Sequence, residues 1–262
     1  MDISNIENLI EEVRKIAFEA GEVIMDVYKD EDSFGVEAKA DDSPLTIADQ
    51  RANSVICDAL IKLDGSIPII SEENKAISYD ERKDFEYFWM VDPLDGTKEF
   101  IKRNGEFTVN IALIHQNKSI AGVVYVPVNK QMYWAIEGKG AWSTDTENIK
   151  HLKANSYTMS DAGLGVVCSR SHLNDETSAF LAKMNSPETV SKGSSLKFLI
   201  IAEGNADVYP RLAPTMEWDT AAAQIILEEA GGKVVRADDQ SPLRYNKEIL
   251  TNPHFIAYGT LN

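Results

Sequence analysis

The chain has 262 residues, with 26 Lys and Arg against 42 Asp and Glu, and therefore a formal net charge of −16. Nucleic-acid polymers are bound through clustered cations, so this charge excludes a simple nucleic-acid binder. The first residues lack the basic flank of a signal peptide, and no apolar run approaches the ~18 residues of a membrane span. We therefore expect a cytoplasmic protein without an integral membrane segment. Peripheral attachment to the cytoplasmic face of a membrane and the oligomeric state are left open.

Two amphipathic helices open the chain. Apolar residues recur at three-to-four spacing from Ile3 to Val27, which predicts one long helix with a single buried stripe. A second helix is predicted to be capped by Ser43, to place Pro44 at its first helical position and to end at Gly65. Each helix is thus predicted to bury one face.

Short strands follow the two helices. Residues 67–71 and 88–92 are brief apolar runs that end in polar residues, which is typical of a buried strand that emerges at the edge of a site. From residue 107 to residue 142, three strand-like runs are separated by turn residues. This pattern predicts an antiparallel meander.

The second part of the chain alternates between strands and helices. The predicted elements are a strand (164–168), two helices (175–184 and 195–203), a strand (207–209), a helix (220–230) and a strand (233–235). Such alternation is typical of an α/β layer. We therefore divide the chain softly into an N-terminal α+β half, residues 1–155, and a C-terminal α/β half, residues 156–262.

The segment DPLDGT, which follows the second short strand, is the most informative part of the sequence. Pro93 cannot donate to a sheet ladder, so the strand is predicted to stop there and the backbone to turn. Asp92 and Asp95 can then aim at one point, together with the Leu94 carbonyl. Carboxylate and carbonyl oxygens are ligands that suit magnesium. A helical turn is predicted at residues 98–102, and its free amides could receive phosphate oxygens.

Other acids occupy similar positions along the chain. Glu72 and Glu73 directly follow the first short strand, and Asp219 starts a strongly helical run. Taken singly, Asp219 is interpreted as the N-cap of a helix, and Glu72 and Glu73 as residues of a solvated loop. Two carboxylates ~4 Å apart repel by ~4 kcal/mol at an effective dielectric of 20. Gathering four such acids would therefore be costly without a cation.

Three motifs, in this order, resemble the lithium-sensitive, magnesium-dependent phosphomonoesterases of the inositol monophosphatase superfamily. They are SEEN (71–74), WMVDPLDGTKEF (89–100) and EWDTAAAQ (217–224). The resemblance covers nearly the whole chain. It implies a mixed α+β and α/β fold, a layered αβαβα sandwich with the metal ions between its halves.

Further segments are similar to the CysQ-type 3′(2′),5′-bisphosphate nucleotidases of that superfamily. They are the stretch 92–114, CSRSH (168–172), GSSLKF (193–198) and VYPR (208–211). Inositol phosphatases usually follow DGT with a different tail, so residues 98–100 favour the nucleotidase branch. That branch implies hydrolysis of the 3′-phosphate of adenosine 3′,5′-bisphosphate to AMP, a detoxifying step in sulfate assimilation.

The resemblance also implies roles for individual residues. Two or three magnesium ions would be held by Glu72, Asp92, the Leu94 carbonyl, Asp95 and Asp219. Thr97, working with Asp49, would orient and deprotonate a metal-bound water, and Glu72 would share in catalysis. The implied substrate contacts are Glu72, Leu94, Asp95, Gly96, Thr97, Ser195, Lys197, Arg211 and Asp219.

Lys197 and Arg211 are hypothesised to meet the second phosphate of the substrate. An arginine would do so with a bidentate fork. The alternative interpretations are a helix lysine whose stem covers apolar surface and an arginine in a structural ion pair. The sequence departs from the family where Ala223 occupies a position that is usually glycine, and we expect a helix and activity there all the same.

Three alternative functions stay open at this point. The first is an inositol monophosphatase-type sugar phosphatase with the same metal ions. The second is a haloacid-dehalogenase phosphatase, although its two acids would be two residues apart and here they are three apart. The third is a non-catalytic, metal-dependent nucleotide sensor that keeps the fold.

Overall fold

The computed structural model describes residues 3–30, 34–38, 44–144, 148–168 and 174–262. Its helices are α1 (Ile3–Tyr28), α2 (Ile47–Asp64), α3 (Tyr79–Arg82), α4 (Thr97–Ile101), α5 (Asp175–Leu181), α6 (Leu196–Ala202) and α7 (Ala221–Glu229). Its strands are β1 (Glu37–Ala38), β2 (Pro44–Leu45), β3 (Ile69–Ser71), β4 (Tyr87–Asp95), β5 (Thr108–His115), β6 (Lys118–Val126), β7 (Gln131–Ile136), β8 (Ala141–Thr144), β9 (Ile149–His151), β10 (Ser156–Tyr157), β11 (Gly165–Cys168), β12 (Glu188–Ser191), β13 (Val208–Arg211), β14 (Lys233–Arg236), β15 (Phe255–Tyr258) and β16 (Thr260–Leu261).

The elements stack in five layers. Helices α1 and α2 cover one face of a seven-stranded sheet ordered β3-β4-β5-β6-β7-β8-β9, and α6 and α7 lie between its other face and a five-stranded sheet ordered β12-β11-β13-β15-β14. Helix α5 packs on the outer face of the second sheet. The predicted αβαβα sandwich is therefore confirmed. No helix in the described ranges is both long and apolar enough to cross a membrane.

Side-chain alternation along β4 explains the layering. Trp89 and Val91 point into the core beneath α1 and α2, whereas Phe88 and Met90 point into the core shared with α6 and α7. Because successive strand residues face opposite sides, a strand buried on both faces reads as a continuous apolar run. The predicted meander is confirmed as β5 to β8, which pair antiparallel in chain order.

Helix α2 begins later than the sequence predicted. Pro44 belongs to strand β2, and the helix starts after Thr46, whose Oγ1 accepts a hydrogen bond from the Ala48 amide at 3.2 Å. The carboxylate of Asp49 accepts one from the Thr46 amide at 2.7 Å, which completes a reciprocal capping box. The prediction of Pro44 at the first helical position is therefore wrong, because Thr46 caps the helix together with Asp49. Ser43 lies outside the described residues. The predicted end at Gly65 is confirmed.

Strand β4 does not stop at Pro93. It continues to Asp95, with Asp92 opposite Asn110 and Asp95 opposite Thr108 in the ladder with β5. Two residues of β4, one of them Pro93, thus oppose a single residue of β5. This is a β-bulge, and it tolerates a residue that has no amide hydrogen to donate. The prediction that the strand ends at the proline is wrong for this reason.

The second sheet contains strands that the sequence analysis did not predict. Strand β15 lies between β13 and β14 and pairs antiparallel with both, and β12 forms an edge beside β11. Both have only four residues, and β12 is partly exposed, so neither has a clear period of two. The core shared by the two sheets contains residues from both predicted halves of the chain. The division near residue 155 stays a prediction.

Helix α7 approaches the seven-stranded sheet closely where Gly122 lies on β6. A methyl group on Gly122 would lie 2.7 Å from the carbonyl oxygen of Ala222, so only glycine fits there. Ala223 is buried in α7, as the helical prediction for this position requires. The preceding residues, from Trp218 to Thr220, form a turn that carries Asp219.

Candidate active site

The predicted acids converge at the ends of neighbouring strands. Glu72 follows β3, which runs parallel to β4, and Asp92 and Asp95 flank the bulge at the end of β4. Asp219 reaches the same place from the turn before α7. All four line a cavity of about 250 Å³, together with Leu94, Gly96, Thr97, Lys98 and Glu99. Glu73 is half-buried and does not line this cavity.

Protein donors hold the acids in place. Asp92 Oδ1 accepts a hydrogen bond from the Leu94 amide at 3.1 Å, and Asp219 Oδ2 accepts one from the Met216 amide at 2.9 Å. Asp95 Oδ2 accepts two from Ser195, at 2.6 Å from its amide and 2.7 Å from its hydroxyl. Ser195 therefore contacts the acid cluster itself and belongs to the site.

The acids repel one another electrostatically. Burial raises the pKa of Asp92 well above its ordinary value, and the charges of Glu72 and Asp95 raise it further. Burial, followed by the charge of Asp95, raises the pKa of Asp219 to about 8. Both shifts mean that the ionised carboxylates are destabilised where they stand. A bound cation would relieve that cost.

The chemistry of the donor set fits a hard divalent cation. Four acidic residues line one small cavity together with Leu94, whose carbonyl oxygen lies 3.3 Å from the Thr97 hydroxyl, and carboxylate and carbonyl oxygens are ligands for such a cation. Across the part of the chain that the structure describes, no three acidic, histidine or cysteine side chains lie tightly enough to hold a metal ion as they stand. The oxygen ligands around this cavity are of the types that suit magnesium.

Thr97 and Asp49 form the predicted pair. Thr97 is the first residue of α4, and its hydroxyl donates to Asp49 Oδ1 at 3.0 Å. The Leu94 carbonyl oxygen is a second acceptor near this hydroxyl, at 3.3 Å. The other oxygen of Asp49 accepts from Thr46 in the capping box, so the start of α2 fixes the orientation of this buried carboxylate. The Thr97 hydroxyl lines the acid cavity, while Asp49 lies behind it.

A second, larger cavity of about 610 Å³ adjoins the first, and Asp95 and Asp219 line both. Lys197 and Arg211, the predicted phosphate contacts, lie in its wall. Five of its lining side chains are cationic and four are acidic; the cations are Lys98, Lys102, Lys192, Lys197 and Arg211. In a chain with a net charge of −16, this cavity concentrates positive charge locally.

Arg211 and Lys197 are each held by a carbonyl oxygen. Arg211 donates to the Pro214 carbonyl at 2.7 Å, and its buried Nε has no hydrogen-bond partner among the described residues. Lys197 donates to the Ser194 carbonyl at 3.0 Å. Burial lowers the pKa of Lys197, while the charge of Asp95 raises it. The described residues contain no ion pair for Arg211, which speaks against the structural ion pair considered for it.

Some of the site was not found from the sequence. Lys102, Lys192 and the buried Asn110 lie at or beside the two cavities, and none was singled out. Lys192 lies in a loop without a motif, whereas Lys102 caps the end of α4 inside the nucleotidase-like stretch 92–114. Asn110 lies in the same stretch, as one polar residue inside an apolar strand. Of the segment CSRSH, residues 169–172 with His172 lie outside the described residues.

Comparison with known proteins places this site in a family. Residues 5–259 match the model of the inositol monophosphatase family, and the chain belongs to that family. It is 44% identical to the 3′(2′),5′-bisphosphate nucleotidase CysQ of Salmonella typhimurium (strain LT2), over 94% of this chain and 98% of that protein. The CysQ protein of Escherichia coli (strain K12) matches with the same identity and the same coverage.

A solved structure agrees with these matches. The crystal structure of CysQ from Bacteroides thetaiotaomicron, described as a bacterial member of the inositol monophosphatase family, superposes with a TM-score of 0.83 at 44% identity, and 97% of each chain is covered. The predicted family, its layered fold and a phosphatase are thereby confirmed. The haloacid-dehalogenase alternative is wrong, because residues 5–259 match a different family.

Proposed function

We propose that this protein hydrolyses the 3′-phosphate of adenosine 3′,5′-bisphosphate to give AMP and phosphate, with magnesium as its cofactor. The observation that carries the proposal is the pair of adjoining cavities, an acidic one and a cation-rich one, that share Asp95 and Asp219. A substrate with two phosphates can place one in each. The relatives named 3′(2′),5′-bisphosphate nucleotidase CysQ support the same substrate class.

Glu72, Asp92, Asp95, Asp219 and the Leu94 carbonyl would hold two or three magnesium ions. When bound, the ions supply the positive charge that neutralises the phosphoryl oxygens and the leaving oxygen. Gly96 adopts a left-handed conformation, with a φ of 97°, immediately before α4. A methyl group there would lie 2.9 Å from the Glu106 carbonyl oxygen, so the turn that carries Thr97 needs glycine.

Thr97 and Asp49 would orient the attacking water and remove its proton. The hydrogen of the Thr97 hydroxyl is already donated to Asp49, so the Thr97 oxygen is left to accept a hydrogen bond from water. A threonine hydroxyl has no basicity of its own at neutral pH, and the carboxylate behind it is the group that can take up the proton. This arrangement orients the water as well as drawing its proton away.

Lys197 and Arg211 would bind the second phosphate. Arg211 lines the cation-rich cavity, its buried Nε has no hydrogen-bond partner among the described residues, and a guanidinium matches phosphate oxygens with paired donors. Ser195 connects this cavity to the acidic one, because it contacts Asp95 and directly precedes α6, the helix that carries Lys197. The second phosphate would thus bind beside the residue that contacts Asp95.

Phosphate release tests the proposal directly. Purified protein is given adenosine 3′,5′-bisphosphate, inositol 1-phosphate or AMP, each with Mg²⁺ and with EDTA. We expect rapid release of phosphate from the bisphosphate in the presence of Mg²⁺ and no release in the presence of EDTA. Efficient turnover of inositol 1-phosphate without turnover of the bisphosphate would support the sugar-phosphatase alternative. Tight nucleotide binding without phosphate release would support the sensor.

Arg211→Ala should weaken recognition of the second phosphate. A lost charge-assisted hydrogen bond costs ~1.5–3 kcal/mol, so we expect kcat/KM for adenosine 3′,5′-bisphosphate to fall by ~10–100-fold, mainly through KM. Adenosine 3′-monophosphate, which lacks the 5′-phosphate, should lose much less. Steady-state kinetics on both substrates provides the measurement. Equal losses on the two substrates would reject the role, and Arg236→Ala, at a partly exposed arginine paired with Asp238, is the matched control.

A further inference from the structure

Asn110 is a buried polar residue on β5, the strand next to the DPLD bulge. It is 1% exposed and lies opposite Asp92 in the ladder. The neighbours two and four positions along the strand, Ala112 and Ile114, face the core shared with α6 and α7. Alternation along the strand therefore directs the Asn110 side chain to the same side, toward the start of α6.

The Asn110 amide is the middle of a chain of hydrogen bonds. The Thr108 hydroxyl donates to Asn110 Oδ1 at 3.0 Å. Asn110 Nδ2 donates to Ser195 Oγ at 2.8 Å and lies 3.3 Å from Asp95 Oδ2. Ser195 Oγ in turn donates to Asp95 Oδ2 at 2.7 Å and lies 2.9 Å from the Asp219 carbonyl oxygen. The Asp95 carboxylate and the Asp219 backbone carbonyl are thus connected through Ser195 to the buried Asn110 amide.

The hydrogen bond from Thr108 to Asn110 sets the donor and the acceptor of each later hydrogen bond in this series. Thr108 is fully buried and donates its hydroxyl hydrogen to the amide oxygen, which turns the NH2 group of Asn110 toward Ser195. Ser195 Oγ accepts a hydrogen bond from Asn110 Nδ2, so the hydroxyl hydrogen of Ser195 points toward Asp95 Oδ2 or the Asp219 carbonyl oxygen. Without Asn110, the Ser195 hydroxyl would lose the donor that orients it.

We propose that Asn110, oriented by Thr108, is a positioning residue that sets the affinity of the acidic cavity for its divalent cation by holding Ser195 against Asp95. The inference rests on the proposed function, since it takes Asp95 as a metal ligand. Hydrogen-bond partners of metal ligands typically change metal affinity by ~10–100-fold when they are removed. Asn110 touches no substrate in this assignment and acts only through Ser195 and Asp95.

Direct Mn²⁺ binding, followed by the electron paramagnetic resonance signal of the free ion, tests the proposal without relying on activity. We expect Asn110→Ala to raise the Mn²⁺ Kd by ~10-fold or more, and Thr108→Val, which keeps the shape of the side chain, to raise it less. Activity should shift in parallel: the Mg²⁺ concentration needed for half-maximal rate rises, while KM for substrate at saturating Mg²⁺ stays as in the wild type.

Tyr133→Phe is the matched control. It removes a part-buried side-chain hydrogen bond of the same sheet, the one from the buried Tyr133 to Glu203 at 2.6 Å, away from the acids. If Asn110→Ala lowers the melting temperature as Tyr133→Phe does but binds Mn²⁺ like the wild type, the proposal is overturned. Should Asn110→Ala not fold, an unchanged Kd in Thr108→Val overturns it. A wild-type protein that binds no Mn²⁺ would instead reject the proposed metal site itself.

Discussion

Asp92→Asn is expected to abolish phosphate release and, in the presence of EDTA, to make the protein more stable. Activity should fall by more than ~100-fold, because Asp92 is proposed as a direct metal ligand and the loss of a ligand should exceed the ~10–100-fold effect of losing its hydrogen-bond partners. Stability should rise because Asp92 is buried and its pKa is raised by burial and by neighbouring acids, so its ionised form is destabilised. Asparagine removes the charge and keeps the oxygen that accepts from Leu94.

The pH dependence of this gain has a definite sign. A carboxyl group whose pKa is higher in the folded state than in the unfolded state binds its proton more tightly when folded, so the associated stability is present at low pH and is lost as the pH rises through the folded pKa. For Asp219 that value is about 8. We therefore expect the metal-free wild type to lose stability as the pH rises from the ordinary carboxyl pKa of ~3.9 to about 8, and the advantage of Asp92→Asn to grow over the same range.

Thermal unfolding in EDTA at pH 6 and pH 8 measures both effects. In a chain of this size ~1 kcal/mol corresponds to a shift of ~2–4 °C in the melting temperature. Added Mg²⁺ should stabilise the wild type and not the variant. Asp58→Asn, at an exposed acid of α2, is the control and should change neither activity nor stability. A variant that melts below the wild type in EDTA at pH 8 would contradict the account of repelling carboxylates.

Thr97→Val should lower kcat by ~10²–10⁴-fold, the range that general acid and base groups contribute. Valine has nearly the shape of threonine and lacks the hydroxyl that lies 3.0 Å from Asp49 Oδ1. Because Thr97 is proposed to act on the water, KM and Mn²⁺ affinity should stay near their wild-type values. Steady-state kinetics and a Mn²⁺ titration of the same preparation separate these effects.

Thr97→Ser is the matched variant, since it restores a hydroxyl at the same position and should recover most of the rate. Thr97 is a better target than Asp49, because Asp49 also caps α2 through Thr46 and its replacement would disturb the helix. If Thr97→Val kept more than ~a tenth of the wild-type kcat, the Thr97 hydroxyl would have no part in proton transfer. Equal rates in the valine and serine variants would lead to the same conclusion.

Local patterns in the sequence were sufficient to predict the features that depend on residues close together in the chain. The three-to-four spacing predicted the buried stripe of α1, and the apolar runs predicted strands β4 and β5, which are buried on both faces. That the acids of the three motifs share one site was implied by the resemblance to the inositol monophosphatase superfamily. The buried faces need only the periods of helix and strand.

Other features depend on residues that are far apart in the chain. Asp95 is bound by Ser195, 100 residues later, and Asn110 reaches the same serine across 85 residues. No local period carries such a contact, and the isolated asparagine in an apolar strand indicated only that a partner exists. The bulge at Pro93 likewise depends on the register of β5, and β15 becomes a strand because β13 and β14 both pair with it.

The sequence by itself therefore determined the buried faces of the main elements and the oxygen-rich chemistry of the site, because side-chain period and residue type are local properties. Only the tertiary structure decided that an acidic and a cation-rich cavity share a wall, and that Asn110 and Ser195 hold Asp95 in that wall. The reason is physical. Cavities and buried hydrogen-bond chains form between layers, and the packing of two sheets and their helices sets which distant residues meet.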